Sequence, residues 1–291
     1  MKKRTILYVF TLRDGWVMKK IVLALMMVTS CASQAQAVKG QANVTNTVHN
    51  LSVTAPADPY FFPTSFYRTN EDEVCIFCHT PHGGSLDGPL WNRSNPTSAW
   101  THYNSATLSA PLQALSATRA VGSESLLCLS CHDGSISVEH IINTSNDIGL
   151  PKNAGSSGSD TKIVGGMVPM ARIGAGPYNP STGMGDPAEG TGDLSDDHPI
   201  SFSYDAVRWS VEYDTGAKAG QLRDAGTPGS VDMATAVGRG VKFFPPGNRL
   251  ECSSCHDPHV DYSASSGQTD YAPFLITPNT GSALCQACHI K

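Results

Sequence analysis

The sequence predicts a mostly irregular chain with short helices and few strands, wound around an apolar body that its own side chains do not supply. Three observations point there. Hydrophobic residues make up 40% of the 291 residues, near the low end for a globular protein. The 27 glycines and 19 prolines favour turns over long regular elements. Eight of the nine cysteines fall into four copies of one short pattern, C-x-x-C-H.

From the N-terminus, residues 1–37 read as an export signal. Met18-Lys19-Lys20 is a basic start, Ile21 to Thr29 a short apolar stretch, and Ala35-Gln36-Ala37 a small-x-small cleavage site. Residues 1–17 hold a second basic-then-apolar patch, Lys2 to Phe10, broken by Arg13 and Asp14, and read as an upstream start-site artefact. Cys31 follows Val28-Thr29-Ser30, a poor lipoprotein pattern, so lipidation is the weaker alternative to cleavage after Ala37. Nothing later has 18 consecutive apolar residues, so no transmembrane segment is expected. Cleavage removes six Lys/Arg and one Asp and takes the formal charge from −5 to −10. A chain that acidic is a poor partner for nucleic acid or anionic lipid. Export places it outside the cell or at its surface, otherwise in the periplasm.

The four motifs are Cys75-Ile76-Phe77-Cys78-His79, Cys128-Leu129-Ser130-Cys131-His132, Cys252-Ser253-Ser254-Cys255-His256 and Cys285-Gln286-Ala287-Cys288-His289. C-x-x-C-H is the attachment signature of haem c. Two thiols one helical turn apart meet the two vinyl groups of a porphyrin, and the next residue sets an imidazole under the iron. A disulfide framework gives no reason for a histidine after every second cysteine. Zinc sites pair C-x-x-C units or add a distant histidine pair, and also need no adjoining histidine. A thioredoxin-like motif expects a βαβ context that these loops lack. The expected cofactor is therefore haem c, four per chain, with His79, His132, His256 and His289 as proximal ligands.

Each iron then needs a sixth ligand unless it is an open catalytic site, and the candidates are His or Met. Past the signal there are only Met167, Met170, Met184 and Met233, but six histidines lie outside the motifs: His49, His82, His102, His140, His198 and His259. Histidine alone can complete all four irons, which predicts low-potential, six-coordinate haems suited to electron transfer. His79-Thr80-Pro81-His82 and His256-Asp257-Pro258-His259 repeat one arrangement. Three residues reach at most about 10 Å, too short to pass around a porphyrin edge, so His82 and His259 must each serve a neighbouring haem. His198 follows Asp196-Asp197, where a carboxylate could orient its ring. His49, His102 and His140 carry no deciding local feature.

The remaining organisation is loop-rich. Residues 38–70 form a polar N-terminal arm, and residues 71–291 a four-haem domain with an irregular insert at about 143–197. Within that insert, 155–193 holds 10 glycines in 39 residues and no sustained period. Short helices are expected at each motif and at Leu108–Ala120, with a strand pair around 200–215 and 238–245. Phe77, Trp91 and Tyr103 are expected to pack against haem.

His49-Asn50-Leu51-Ser52, VCIFCHTPHG (Val74 to Gly83), PLWNR (Pro89 to Arg93), LCLSCHDG (Leu127 to Gly134), DLSDDHPISF (Asp193 to Phe202) and Cys252 to His259 carry a resemblance that covers much of the chain past the signal. They resemble multihaem c-type cytochromes of metal-reducing bacteria, most nearly the four-haem members that polymerise into extracellular filaments. The resemblance implies a chain wrapped around stacked haems and electron transfer to redox partner proteins or extracellular acceptors. It implies His49, His82, His198 and His259 as distal ligands, and leaves His102 and His140 to structural roles. It further implies a homo-oligomer or filament in which His49 bridges to the next subunit. The competing readings are a haem reductase with one open iron and a partner subunit of a respiratory redox complex. Since all four motifs end in His and spare histidines exceed the irons, a non-enzymatic conduit is expected.

Overall fold

Short elements joined by long irregular connections make up the chain, as its glycine and proline content dictates. The computed structural model describes residues 42–52, 54, 72–96, 99–116, 119–132, 141–143, 178–179, 184–185, 193–195, 197–263 and 265–290. The export signal, Cys31, Met167, Met170, His140 and most of the insert lie outside the described residues. Residues Lys39–Lys291 belong to one compact unit, so the described part of the arm is integral to it. Among the described residues no helix is long and apolar enough to cross a membrane.

The strands come in pairs of two residues each. Strand β1 (Thr101–His102) runs parallel to β4 (Asp193–Leu194), β2 (Tyr178–Asn179) antiparallel to β3 (Met184–Gly185), and β5 (Phe202–Ser203) antiparallel to β6 (Arg249–Leu250). The insert thus contributes one hairpin pair and one strand that reaches back to β1.

The expected helix at Leu108–Ala120 forms over a shorter span, α1 (Ala110–Ser116), where Gln113 N–H bonds Ser109 C=O. The second motif lies on α2 (Ser123–His132) and the fourth on α5 (Ala283–Cys288). The strand pair forms elsewhere than predicted. Ser203 accepts a hydrogen bond from Ala206 N–H and starts α3 (Tyr204–Arg208), followed by α4 (Val211–Asp214), so most of 200–215 is helical. An N-cap of this kind favours the helix over strand continuation. The partner of β5 is β6, because 238–245 is broken by a 3-10 turn at Val237–Arg239 ending on left-handed Gly240 (φ 97°).

The main apolar cluster joins Phe202, Tyr204, Val207, Leu222, Ala225, Ala236, Val241, Leu250 and Ala287 with Leu112 of α1. Three smaller clusters stand apart: Ile76–Phe77–Ile141, Val121–Leu129–Leu194, and Val260–Tyr262–Tyr271–Phe274. Each lies against a motif or next to one.

Candidate cofactor-attachment site

Each motif closes one helical turn, and that turn sets its three functional side chains. His79, His256 and His289 each donate their backbone N–H to the C=O of the motif's first cysteine, at 2.8, 3.0 and 2.9 Å. The second motif obtains the same turn from α2. One turn places the two thiols side by side and the imidazole just beyond them. Among the described residues no group of three or more His, Cys, Asp or Glu side chains is placed to hold a metal ion.

Residues outside the motifs hold these turns by their inner carbonyls. Asn92, fully buried, donates its amide to Ile76 C=O (2.7 Å) and its backbone N–H to Cys78 C=O (2.9 Å). The next residue, Arg93, also fully buried, donates Nε and Nη2 to Ser130 C=O in the second motif (3.3 and 3.0 Å). Ile276 N–H bonds Cys255 C=O and Lys242 N–H bonds Ser254 C=O in the third. Arg223 does both for the fourth, N–H to Cys288 C=O and Nε to Gln286 C=O, each at 2.9 Å.

The second and third motifs are joined through a buried carboxylate. Glu251 Oε2 accepts from Ser125 Oγ (2.6 Å) and Ser201 Oγ (2.8 Å), and Oε1 from Arg249 Nε (2.9 Å). Ser125 also accepts from Cys252 N–H (3.0 Å), tying α2 to the third motif. A Cβ on Gly122 would stand 2.1 Å from Glu251 Oε1, which is why only glycine fits there.

The thiols pack motif against motif. The Cys128 thiol hydrogen-bonds Cys252, which raises the pKa of Cys128 and lowers that of Cys252. Burial, then the neighbouring Cys131, pushes Cys78 up to about 12. Burial, then Cys288, pushes Cys255 up to about 12, and burial pushes Cys288 up to about 11. The thiols that shift one another therefore belong to successive motifs: Cys78 and Cys131, Cys128 and Cys252, Cys255 and Cys288. A thiol-exchange enzyme needs a depressed thiol pKa; four of these thiols are shifted the opposite way and Cys252 alone of the five is lowered.

The histidine rings are aimed by backbone carbonyls. His79 Nδ1 bonds Pro89 C=O (3.1 Å), His256 Nδ1 bonds Pro273 C=O (2.9 Å) and His198 Nδ1 bonds Pro199 C=O (2.9 Å). His259 Nδ1 bonds Asp257 Oδ1 at 2.8 Å. A carbonyl can only accept, so Nδ1 carries the proton and Nε2 is left with its lone pair, the arrangement of a metal-ligating imidazole. His102 is the reverse: its Nε2 bonds Arg119 C=O at 2.8 Å, and the residue is buried on β1.

Two histidine pairs face one another. The His79 and His259 rings lie 6.3 Å apart between centroids and 18° from parallel; His49 and His132 lie 6.1 Å apart at 86°. With metal–nitrogen bonds of about 2 Å, one metal ion between two imidazoles sets their centroids about 6 Å apart. Both pairs fit a bis-histidine iron. The local spacing excluded His259 from the third motif, and its ring stands against the first. His82 lies exposed, its C=O accepting from Thr80 Oγ1 (3.0 Å) and Asn143 Nδ2 (3.3 Å). Sequence reasoning could not pair these rings, because nothing local links residue 79 with 259.

The arm's histidine lies against its own chain. Asn43 N–H bonds His259 C=O (2.8 Å) and Asn46 Nδ2 bonds Asp261 Oδ2 (3.0 Å), laying the arm along its own chain. His49 then packs on Phe274 at 4.2 Å and faces its own chain's His132. Burial, then the nearby His132, lowers its pKa to about 3 against a smaller opposing pull from Pro258 C=O. Phe77 is buried beside Ile76, and Trp91 meets His79 edge-on at 5.8 Å. Asn92, Arg93 and Glu251 are the residues sequence reasoning missed; PLWNR drew notice only as part of a resemblance. Neither a family model nor a curated protein matches the chain.

Proposed function

We propose that the chain is an exported electron-transfer protein that winds around four covalently attached c-type haems and passes electrons along them. The observation that carries this reading is the one-turn geometry repeated at all four C-x-x-C-H motifs, two of whose histidines face a second imidazole at the spacing of a shared iron. A bound haem supplies a reversible one-electron couple.

The chain's residues do the rest. The paired cysteines would hold each haem through thioethers, S–H adding across a vinyl group with no net oxidation, and His79, His132, His256 and His289 would each ligate its iron. His259 and His49 would supply the second ligand for the first and second motifs, leaving His82 and His198 for the third and fourth. The mutual influence of thiols from successive motifs supports an electron path that follows chain order. The partners are redox proteins or extracellular acceptors. In a homo-oligomer or filament, His49 would serve either this chain's second motif, whose His132 it faces, or a haem of the next subunit, and the oligomeric state of a His49→Ala protein separates the two.

The test is the mass and visible spectrum of the protein made in a host with haem-attachment machinery. Four covalent haems are expected, three in a Cys252→Ala/Cys255→Ala variant, and no binding of CO by the reduced protein. Absence of covalent haem overturns the reading. Tight CO binding at one haem turns it toward a reductase.

A further inference from the structure

Arg119 stands one turn beyond α1, its N–H on Leu115 C=O and its own C=O held by His102 Nε2. Its backbone is thus pinned from both sides. All three guanidinium nitrogens are buried, and none has a hydrogen-bond partner among the described residues. The charges nearest to it are Arg249, which repels it, and Glu251, which attracts it. Glu251 is already committed: Arg249 occupies one oxygen, Ser125 and Ser201 the other. Burial followed by repulsion from Arg249 lowers the Arg119 pKa.

A guanidinium offers five N–H donors in a planar fork matched to carboxylates, and it stays charged. Leaving such a cation buried and unpaired is strongly destabilising. The chain nonetheless spends a buried histidine on holding this residue's backbone in place. The missing partner is an anion that none of the described residues supplies.

We infer that Arg119 binds a propionate carboxylate of one of the four haems, as a built subsite of the cofactor pocket. This rests on the haem reading of the motifs, which supplies carboxylates inside the protein. Arg119 sits just before the second motif's helix and near the Glu251 junction that joins the second and third motifs. It acts through the propionate and not on the iron. A cation there favours the more negative, reduced haem, so it raises that haem's potential.

The experiment uses the full holoprotein with Arg119→Gln and Arg119→Lys, after mass spectrometry has counted the haems. A wild type without covalent haem sinks the underlying reading before this one is reached. With four haems present, Arg119→Gln is expected to shift the propionate bending band of one haem in the resonance Raman spectrum. It should also lower one of the four potentials and leave the other three in place. Arg119→Lys should shift the same band but hold the potential closer to wild type, because the charge remains. Unchanged bands and potentials in Arg119→Gln overturn the inference. Should that variant not accumulate, Arg119→Lys decides: a moved propionate band supports the contact, and an unmoved one overturns it.

Discussion

Residues 197–290 and residues 42–143 each carry two of the four motifs, yet different forces hold them. The C-terminal region buries Phe202, Tyr204, Val207, Leu222, Val241 and Leu250 in one continuous cluster, and its fourth motif enters that cluster through Ala287 and Cys288. Among its described residues the N-terminal region lends Leu112 to that cluster and otherwise has small apolar groups around Phe77 and Leu129. Its largest fully buried side chains include Arg93, Asn92 and Asn50, which bond backbone carbonyls. Apolar burial contributes about 1.5–3 kcal/mol per large side chain and accepts any well-packed neighbour. A buried amide or guanidinium contributes little net but requires its specified partner. The first region is organised for stability, the second for position.

The largest effect should come from withholding the cofactor. In chain made without covalent haem, hydrogen exchange is expected to show protection lost across 72–132 and retained around 202–250. Simultaneous loss in both regions would break the distinction. Next is Phe202→Ala, which empties part of the continuous cluster and should cost about 3–5 kcal/mol in denaturant unfolding. A cost under about 1 kcal/mol would mean the cluster is loosely packed. Asn92→Ala comes third. It orphans Ile76 C=O, Asn143 C=O and Asn143 N–H, and should cost about 2–3 kcal/mol. Its signature is a perturbed first-motif haem spectrum while the fourth stays unchanged.

The smallest effect is a pH dependence in the N-terminal region. His102 has its pKa lowered, first by burial and then by the Arg119 charge. Below the unfolded value of about 6.5 the unfolded chain takes up a proton that the folded chain refuses. Stability is thus complete above that pH and lost as pH falls toward the lowered folded value. Unfolding midpoints measured from pH 8 to 5 should decline below about 6.5, less steeply in His102→Gln. An equal slope in the variant would assign the decline to other histidines.

Much of the candidate site was legible in the sequence, because C-x-x-C-H is local: one turn of backbone brings its three side chains together. The shortness of the helices was legible in the glycines and prolines. What was hidden depends on separation along the chain. The β5–β6 pairing joins residue 202 to residue 250 over a two-residue ladder, far below the length at which alternation becomes readable. The His79–His259 pair spans the whole domain, and the placement of His49 rests on bonds from Asn43 and Asn46 to residues 259 and 261. Buried Arg93 and Glu251 read in sequence as ordinary surface charges. Only the carbonyls and hydroxyls they meet give them another role.

Asn92 and Arg93 are neighbours in sequence, and one holds the first motif while the other holds the second. A single peptide unit is consequently the common mechanical reference for two attachment points. Thermal displacement of that unit carries both motifs in the same direction. The separation between them should then fluctuate less than the position of either one, and a conductor of electrons depends on that separation.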